Sequence, residues 1–274
     1  MKSLLIRVAL AGSLLGLLAP LTAAAQRQLR NPLNGRTELQ LELARQNGDL
    51  WWGSLRGQHS FGRYGELFEY NWAQAGYEHF WSEHWSGGAN ARLAFYNRNY
   101  TDANGNSGLQ FLLRPELLLR HRGDVFGFTF GQRLSLDYEL RPEPQRNLGQ
   151  ARLRLDLERF YNVGERVKLR PRLAYEAAAN IRLQPPDDTP EERTLEQGIW
   201  RAEVGIRLSD HLDLTPYVAR QTDFAVFLPQ FDSDGNPVAG GRTNVRTPVV
   251  GIDLRYTLFQ GKAPFERVQL PTQH

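Results

Sequence analysis

Charged residues recur at every second position along several stretches of this chain. All the cations among them are arginines, and the planar guanidinium group can bind a carboxylate through two parallel hydrogen bonds. Such a set can pair with itself, or it can line a path for charged solutes. The residues are Arg114, Glu116, Arg133, Asp137, Glu139, Arg152, Arg154, Asp156, Glu158, Arg170, Arg172, Glu176, Arg201, Glu203, Arg207, Asp253 and Arg255. We predict that they face one enclosed space.

The serine, histidine and cysteine content of the sequence gives little indication of a catalytic site. A serine nucleophile needs a histidine within hydrogen-bond reach and an acid that orients it. His84, His121 and His211 fall in predicted turns, and neither His59 nor His79 has a lipase-like or deacylase-like setting. The chain has no cysteine, which excludes a thiolate nucleophile and a thiolate metal site. We therefore predict no catalytic residues and no enzymatic activity.

Two short motifs are similar to the start of a calcium-binding loop. They are Asp102-x-Asn104-x-Asn106 and Asp232-x-Asp234-x-Asn236. In each motif the glycine comes fourth instead of sixth, and no glutamate stands at the twelfth position. The turn preferences of Asp, Asn and Gly explain both motifs. We predict no metal ion and no cofactor.

The elements that must position the charged residues are clearest in residues 151–183. In 151–158 and again in 167–183, apolar residues occupy one parity and charged residues the other. A period of two puts successive side chains on opposite faces of a strand, whereas a helix would mix the two sets. The second run far exceeds the usual strand length of about 5–6 residues. The pattern predicts a long β-hairpin around the break at 162–165.

The connections between such strands alternate in length. Tight ones fall near 82–84, 121–124, 162–165 and 209–211, and longer ones near 97–108, 141–147, 184–194 and 224–246. Outer-membrane barrels combine short periplasmic turns with longer extracellular loops. The last strand, ending at Phe259, would then run inward, so we place both ends in the periplasm and expect an even strand number. We predict an all-β fold, a closed antiparallel transmembrane β-barrel of ten strands, or twelve depending on residues 50–59 and 224–246.

A bilayer is the environment that best explains the apolar parity. Hydrocarbon offers backbone groups no water, so β-structure crosses it only as a closed barrel, with about 9–11 residues per strand. A mean hydropathy of −0.50 is compatible with this, because such barrels are apolar on one face only. The alternative is a soluble, secreted barrel or sandwich whose apolar parity forms the core. Against it, lysine is rare after residue 25, with only Lys168 and Lys262.

The two ends of the chain suggest export. Lys2 and Arg7 provide positive charge before an apolar stretch, and Ala23-Ala24-Ala25 offers a cleavage site. Together these features predict a signal peptide over 1–25. We expect a periplasmic lead-in over 26–36, a barrel over 37–259 and a periplasmic tail over 260–274, in the outer membrane of a Gram-negative bacterium. The net charge of +3 comes without blocks of like charge, so we expect no nucleic-acid partner.

One part of the chain resembles a known family. The segments ARLRLDLERF and VKLRPRLAYEAAANI, followed by IWRAEVGIRLSDHLDLTPYVARQTDF, are similar to a family of bacterial outer-membrane barrels known as domain of unknown function 2490. The resemblance covers 109–224 and implies an outer-membrane barrel without assigning a reaction. Residues 251–259 also look like the terminal-strand signal read by the barrel assembly machinery. The implied partners are that machinery, outer-membrane lipid and lipopolysaccharide.

The lumen of a barrel of about ten strands is only slightly wider than side chains can fill. We therefore predict a structural, largely plugged barrel with an interior lined by Arg, Glu and Asp. The alternative is a narrow channel for small charged solutes. An outer-membrane enzyme and a soluble secreted barrel rank below these two.

Overall fold

The computed structural model describes residues 27–62, 65–98, 108–141, 147–163, 167–181, 195–231, 233–234 and 237–261. The predicted signal peptide, 1–25, lies outside these residues, as does most of the predicted tail. The described strands are β1 (Arg27–Arg30), β2 (Leu33–Arg45), β3 (Asp49–Gly62), β4 (Gly65–Phe80), β5 (Trp85–Arg98), β6 (Gly108–Val125), β7 (Phe128–Glu139), β8 (Leu148–Glu158), β9 (Tyr161–Val163), β10 (Val167–Ile181), β11 (Leu195–Arg207), β12 (Leu212–Phe231) and β13 (Pro237–Gln260). No helix in these ranges is long and apolar enough to cross a bilayer.

The strands form a closed barrel. In the part of the chain that the structure describes, eleven strands pair in the order β2 to β8 and then β10 to β13, and β13 pairs with β2 to close the ring. β1 precedes β2 along the same edge of β13, and β9 follows β8 along the edge of β10. The closing pair runs from Val249 beside Asn34 to Gln260 beside Arg45. The predicted all-β closed barrel is confirmed.

The strand number and the pairing differ from the predicted ten or twelve strands in a purely antiparallel ring. The closing pair β13–β2 is parallel, as is β13–β1. A parallel closure follows from an odd number of strands that otherwise alternate in direction, and eleven described strands form this ring. The extra strand is β3, in the stretch that the sequence left ambiguous. Because β2 and β13 run the same way, the start of β2 and the end of β13 lie at opposite ends of the barrel, which contradicts the placing of both ends in the periplasm.

Some boundaries also differ from the sequence-based ones. Much of the predicted lead-in, 26–36, is strand, because β1 and the first residues of β2 pair with β13. The stretch 224–246 extends β12 and β13 and adds no further strand to the ring. The turn predicted at 121–124 is strand instead, and β6 continues to Val125. The chain reverses at Phe126 and Gly127, whose φ angles of 52° and 77° fit the type I′ turn of a two-residue hairpin.

The two ends of the barrel have different connections. At one end, called the turn end, β2, β4, β6 and β11 lead into the next strand through 46–48, 81–84, 126–127 and 208–211. At the other, called the loop end, the connections are 63–64, 99–107, 140–147, 182–194 and 232–236, and three of these five have eight residues or more. This difference matches the short turns and long loops expected at the two faces of an outer-membrane barrel.

The two faces of the sheet are inverted relative to a soluble protein. The large apolar side chains point outward, and Leu55, Leu117 and Val218 are 62%, 64% and 57% exposed. The charged parity is buried on the inside. No second sheet or helix among the described residues covers the apolar face. The alternative of a soluble barrel with an apolar core is therefore contradicted.

Candidate functional site: the charged lumen

The structure places the predicted charged residues on the inner face of the barrel. All of them are buried except Arg114 and Arg207, which are half-buried. The cause is local, because each strand alternates its side chains between two faces and a closed ring gives every strand the same inside. Residues from distant parts of the sequence are thereby brought together.

A dense group of ion pairs lies toward the turn end. We call it the turn-side cluster, and its members are Arg122, Glu158, Arg170, Arg172 and Glu203. Glu158 accepts hydrogen bonds from Arg170 Nε at 2.8 Å and from Arg172 Nε at 2.7 Å, and it also contacts Arg122. Arg172 further contacts Glu203. Every member is at least nine-tenths buried, so these charges are held by one another and not by bulk water.

Other pairs extend this network across the lumen. Arg201 contacts Glu203 and donates to Asp253 Oδ2 at 2.6 Å, which links β11 to β13. Arg154 Nε donates to Asp156 Oδ1 at 3.0 Å within β8. These arginines lie between the turn-side cluster and the loop half of the barrel.

The middle of the lumen holds a second group of pairs. Arg152 Nε donates to Asp137 Oδ2 at 2.6 Å, joining β8 to β7. Glu176 on β10 accepts from Arg133 Nη2 at 3.0 Å and lies 3.5 Å from Arg152 Nη1. Arg114 on β6 contacts Glu139 on β7. The pairs therefore join strands across the lumen as well as along the sheet.

Sequence reasoning missed several charged lumen residues. They are Arg36, Glu38, Glu42, Arg56, Glu78, Arg92, Arg120, Arg122 and Asp213. Four lie on β2 and β3, where glycine and tryptophan obscure the period in β3. Arg122 was assigned to a turn that is strand instead. They could have been identified by extending the same alternation of inward and outward residues through these segments.

A cavity occupies the loop half of the lumen. Its volume is about 470 Å³, and we call it the lumen cavity. It reaches from Arg154 and Arg201, at mid-barrel, to Arg141 and Glu196 near the loop end. Small side chains on β10 and β12, including Ala174, leave the space that long side chains fill elsewhere. The lumen is thus packed toward the turn end and hollow toward the loop end.

Three aromatic side chains line this cavity, namely Trp72, Tyr217 and Phe224. Trp72 lies between two guanidinium groups, with the Cζ atoms of Arg56 and Arg92 at 4.3 and 4.6 Å from the ring. Tyr217 packs over Gly251 on the neighbouring strand, so closely that a Cβ atom there would lie 2.4 Å from Tyr217 Cζ. Glycine at 251 is therefore what allows a large ring to stand at this position.

One histidine predicted to lie on a strand does have an acidic partner. His79 Nδ1 is 2.7 Å from Asp49 Oδ1, at the turn end of the barrel and beside the turn that precedes β3. Tyr77 donates to the same oxygen at 2.7 Å. The group lies apart from the lumen cavity, whose lining includes none of these residues.

The described residues contain no group of His, Asp and Glu that could hold a metal ion. Of the two calcium-like motifs, Asp102-x-Asn104-x-Asn106 lies outside the described residues, as does Asp232. Asp234 is exposed in the connection between β12 and β13.

Comparison with known proteins gives one distant likeness to report. No protein-family model and no curated protein matches the chain. Among solved structures, LpxR from Salmonella typhimurium is 9% identical, with a TM-score of 0.40 over 72% of this chain and 81% of that one. At this level of similarity nothing of that protein's activity is carried over to this chain.

The comparison nevertheless corrects one prediction. LpxR is an outer-membrane enzyme, a lipid A deacylase. The prediction that this chain has no enzymatic activity is wrong as stated and is withdrawn, and no activity is assigned in its place.

Proposed function

We propose that this chain is an outer-membrane β-barrel whose lumen is closed toward the turn end by buried ion pairs. The observation that carries the membrane placement is the exposed apolar face of the ring. Monomeric soluble proteins rarely expose apolar patches beyond a few hundred Å², because such patches cost free energy in water. Here the exposed row runs along most of the strands, which fits contact with lipid acyl chains. Barrel assembly machinery and lipopolysaccharide are the corresponding partners.

Cell fractionation tests the placement. We expect the full chain to sediment with outer membranes and to migrate faster in gels before boiling than after, because the closed barrel resists detergent at room temperature. Recovery in a soluble periplasmic extract, with one gel mobility under both conditions, would refute the proposal.

The closure of the lumen rests on the turn-side cluster. Its arginines and glutamates come from β6, β8, β10 and β11 and are joined to one another. Because these side chains meet in the lumen, an ion has no continuous path through the barrel. A path would open only if a side chain moved, which would require breaking buried ion pairs. A structural barrel is therefore the function that this geometry supports best.

Conductance separates this proposal from a narrow channel for small charged solutes. We expect the wild-type chain to show no discrete openings in a planar bilayer. The double variant Arg172→Ala with Glu203→Ala removes both partners of one pair, leaving Glu158 with Arg122 and Arg170, and should conduct. The matched control is Arg45→Ala with Gln260→Ala, an exposed hydrogen-bonded pair at the turn end. A wild-type chain that conducts would establish the channel instead, and a silent double variant would show that this pair is not the barrier.

A further inference from the structure

The lumen cavity carries an excess of positive charge. Its described lining contains eight arginines, namely Arg36, Arg56, Arg92, Arg114, Arg141, Arg152, Arg154 and Arg201, against four acids, Glu139, Glu176, Glu196 and Asp223. The lining alone therefore has a formal excess of four positive charges, and Glu38, Asp137, Asp156 and Asp253, which are not part of the lining, pair with Arg56, Arg152, Arg154 and Arg201. In the turn-side cluster three arginines likewise share two glutamates that bind them directly. At the cavity an added negative charge would be most favourable beside Arg36, whose hydrogen bonds within the described residues go to neutral amides.

Like charges also face each other around this cavity. Arg92 on β5 is directly opposite Arg114 on β6, and Arg133 on β7 is directly opposite Arg154 on β8. Such like-charged pairs across strands are destabilising unless a counter-charge lies near them. Glu139, Glu176 and Asp156 supply counter-charges to Arg114, Arg133 and Arg154, and a bound anion would add another.

Several donors at the cavity are available for a ligand. Arg36 makes no ion pair with any described residue, and its hydrogen bonds go to the neutral amides of Gln58 and Gln221. Tyr217 is 6% exposed, and its hydroxyl has no hydrogen-bond partner within the described ranges. Nη2 of Arg154, a residue 4% exposed, likewise has none. Buried polar atoms of this kind cost free energy unless something binds them.

The rest of the lining is partly apolar. The arginines come mainly from β2 to β8. β10 to β12 contribute a mixed wall, in which six small or apolar side chains lie among polar ones that include Glu176, Glu196 and Asp223; the six are Ala174, Ala178, Ile199, Ala219, Phe224 and Ala225. A purely inorganic anion would leave this wall in contact with water. An anion on an apolar body would cover it, and about 470 Å³ is within the usual size range of small-molecule sites.

We propose that the lumen cavity binds a small water-soluble organic anion, one that carries a carboxylate or phosphate group on a compact apolar body. Arg36, Arg154 and Tyr217 donate to the anionic group, and the alanine-rich wall packs against the body. The barrel wall separates the cavity from the surrounding lipid, so the ligand enters from the loop end. The inference requires the cavity but not a non-conducting lumen, so it stands or falls separately from the closure proposed above.

Calorimetry on the full chain in nanodiscs of neutral phosphatidylcholine tests this. Phenyl phosphate is the probe, inorganic phosphate supplies the charge alone, and benzyl alcohol supplies the apolar body alone. We expect phenyl phosphate to bind with one-to-one stoichiometry and inorganic phosphate to bind at least about tenfold more weakly. Benzyl alcohol should give no measurable binding, because hydrogen bonds to charged groups supply most of the affinity.

Variants locate the site. Arg36→Gln should weaken phenyl phosphate binding by about tenfold or more, since a charge-assisted hydrogen bond is lost. Ala178→Phe should abolish binding by filling the cavity. Arg45→Gln, the same change at an exposed position of the same strand, should leave affinity unchanged. Gel mobility before and after boiling identifies variants that fail to fold, and Arg36→Gln keeps the test decisive if Ala178→Phe does not fold.

Three results would overturn the proposal. The first is no binding of phenyl phosphate at millimolar concentration. The second is binding that Arg36→Gln leaves unchanged, which would put the ligand outside the lumen cavity. The third is equal affinity for inorganic phosphate, which would remove the role of the apolar wall.

Discussion

Replacing Glu158 with glutamine is expected to lower the free energy of unfolding by about 3–5 kcal/mol, the cost typical of removing one partner of a buried ion pair. Glu158 is 2% exposed and is the shared acceptor for Arg122, Arg170 and Arg172. The neutral amide keeps the shape of the side chain but removes its charge, so these guanidinium groups lose the carboxylate that joins them. Urea unfolding of the barrel in lipid vesicles, followed by tryptophan fluorescence, measures the change.

Two further variants show whether the buried charge is the cause. Asp124→Asn removes an acid that is exposed near the turn end and should change stability by less than about 0.5 kcal/mol. The double variant Glu158→Gln with Arg170→Met removes an arginine together with its partner, and it should be more stable than Glu158→Gln alone. If Glu158→Gln unfolds at the same urea concentration as the wild type, the turn-side cluster is solvated and the proposed closure of the lumen fails.

The alternation of residue types was sufficient to predict the two faces of the barrel. In residues 151–158, leucines face out and charged residues face in, as the period of two requires. The prediction needed no knowledge of strand partners, because the parity of a strand is a property of its own sequence. This is why the charged residues proposed for the lumen are the ones that lie there.

The closure of the ring could not be read in the same way. Whether β13 meets β2 in parallel or antiparallel depends on the total number of strands, and one ambiguous strand changes that number from even to odd. β3 was ambiguous because Gly53 and Gly57 take positions where an outward apolar residue would have marked the period. The ambiguity of this one strand therefore changed the predicted topology of the whole barrel.

The lumen cavity was also beyond the sequence argument. Parity shows which side chains point inward but not at what height they lie or how far they reach. The hollow depends on Ala174 and Ala178 on β10 and on Ala219 on β12, and only the register shows that Ala174 and Ala219 lie at the same level, on either side of Arg201. In the sequence, these alanines are simply members of segments in which residue types alternate, and nothing marks them as lining a cavity. Their effect appears when they face the arginines of β2 to β8.

Placing arginine at Leu117 is expected to cost about 2–4 kcal/mol of folding free energy, because a charge at the middle of the lipid face must leave water for hydrocarbon. Leu117 is near the middle of β6, points outward and is 64% exposed. On a soluble protein so exposed a position would tolerate arginine within about 0.5 kcal/mol. The same substitution therefore has two clearly different outcomes in the two environments. Urea titration of folding into phosphatidylcholine vesicles measures which one applies.

Leu208→Arg is the matched control, because Leu208 is 46% exposed and lies in the connection between β11 and β12, at the turn end. An arginine there can reach the head groups and water, so its cost should be at most about 1 kcal/mol. The difference between the two variants measures depth in the bilayer and is independent of how arginine affects β-structure in general. Equal, small costs at both positions would mean that no hydrocarbon surrounds β6, and the row of exposed leucines would then need a protein partner to cover it.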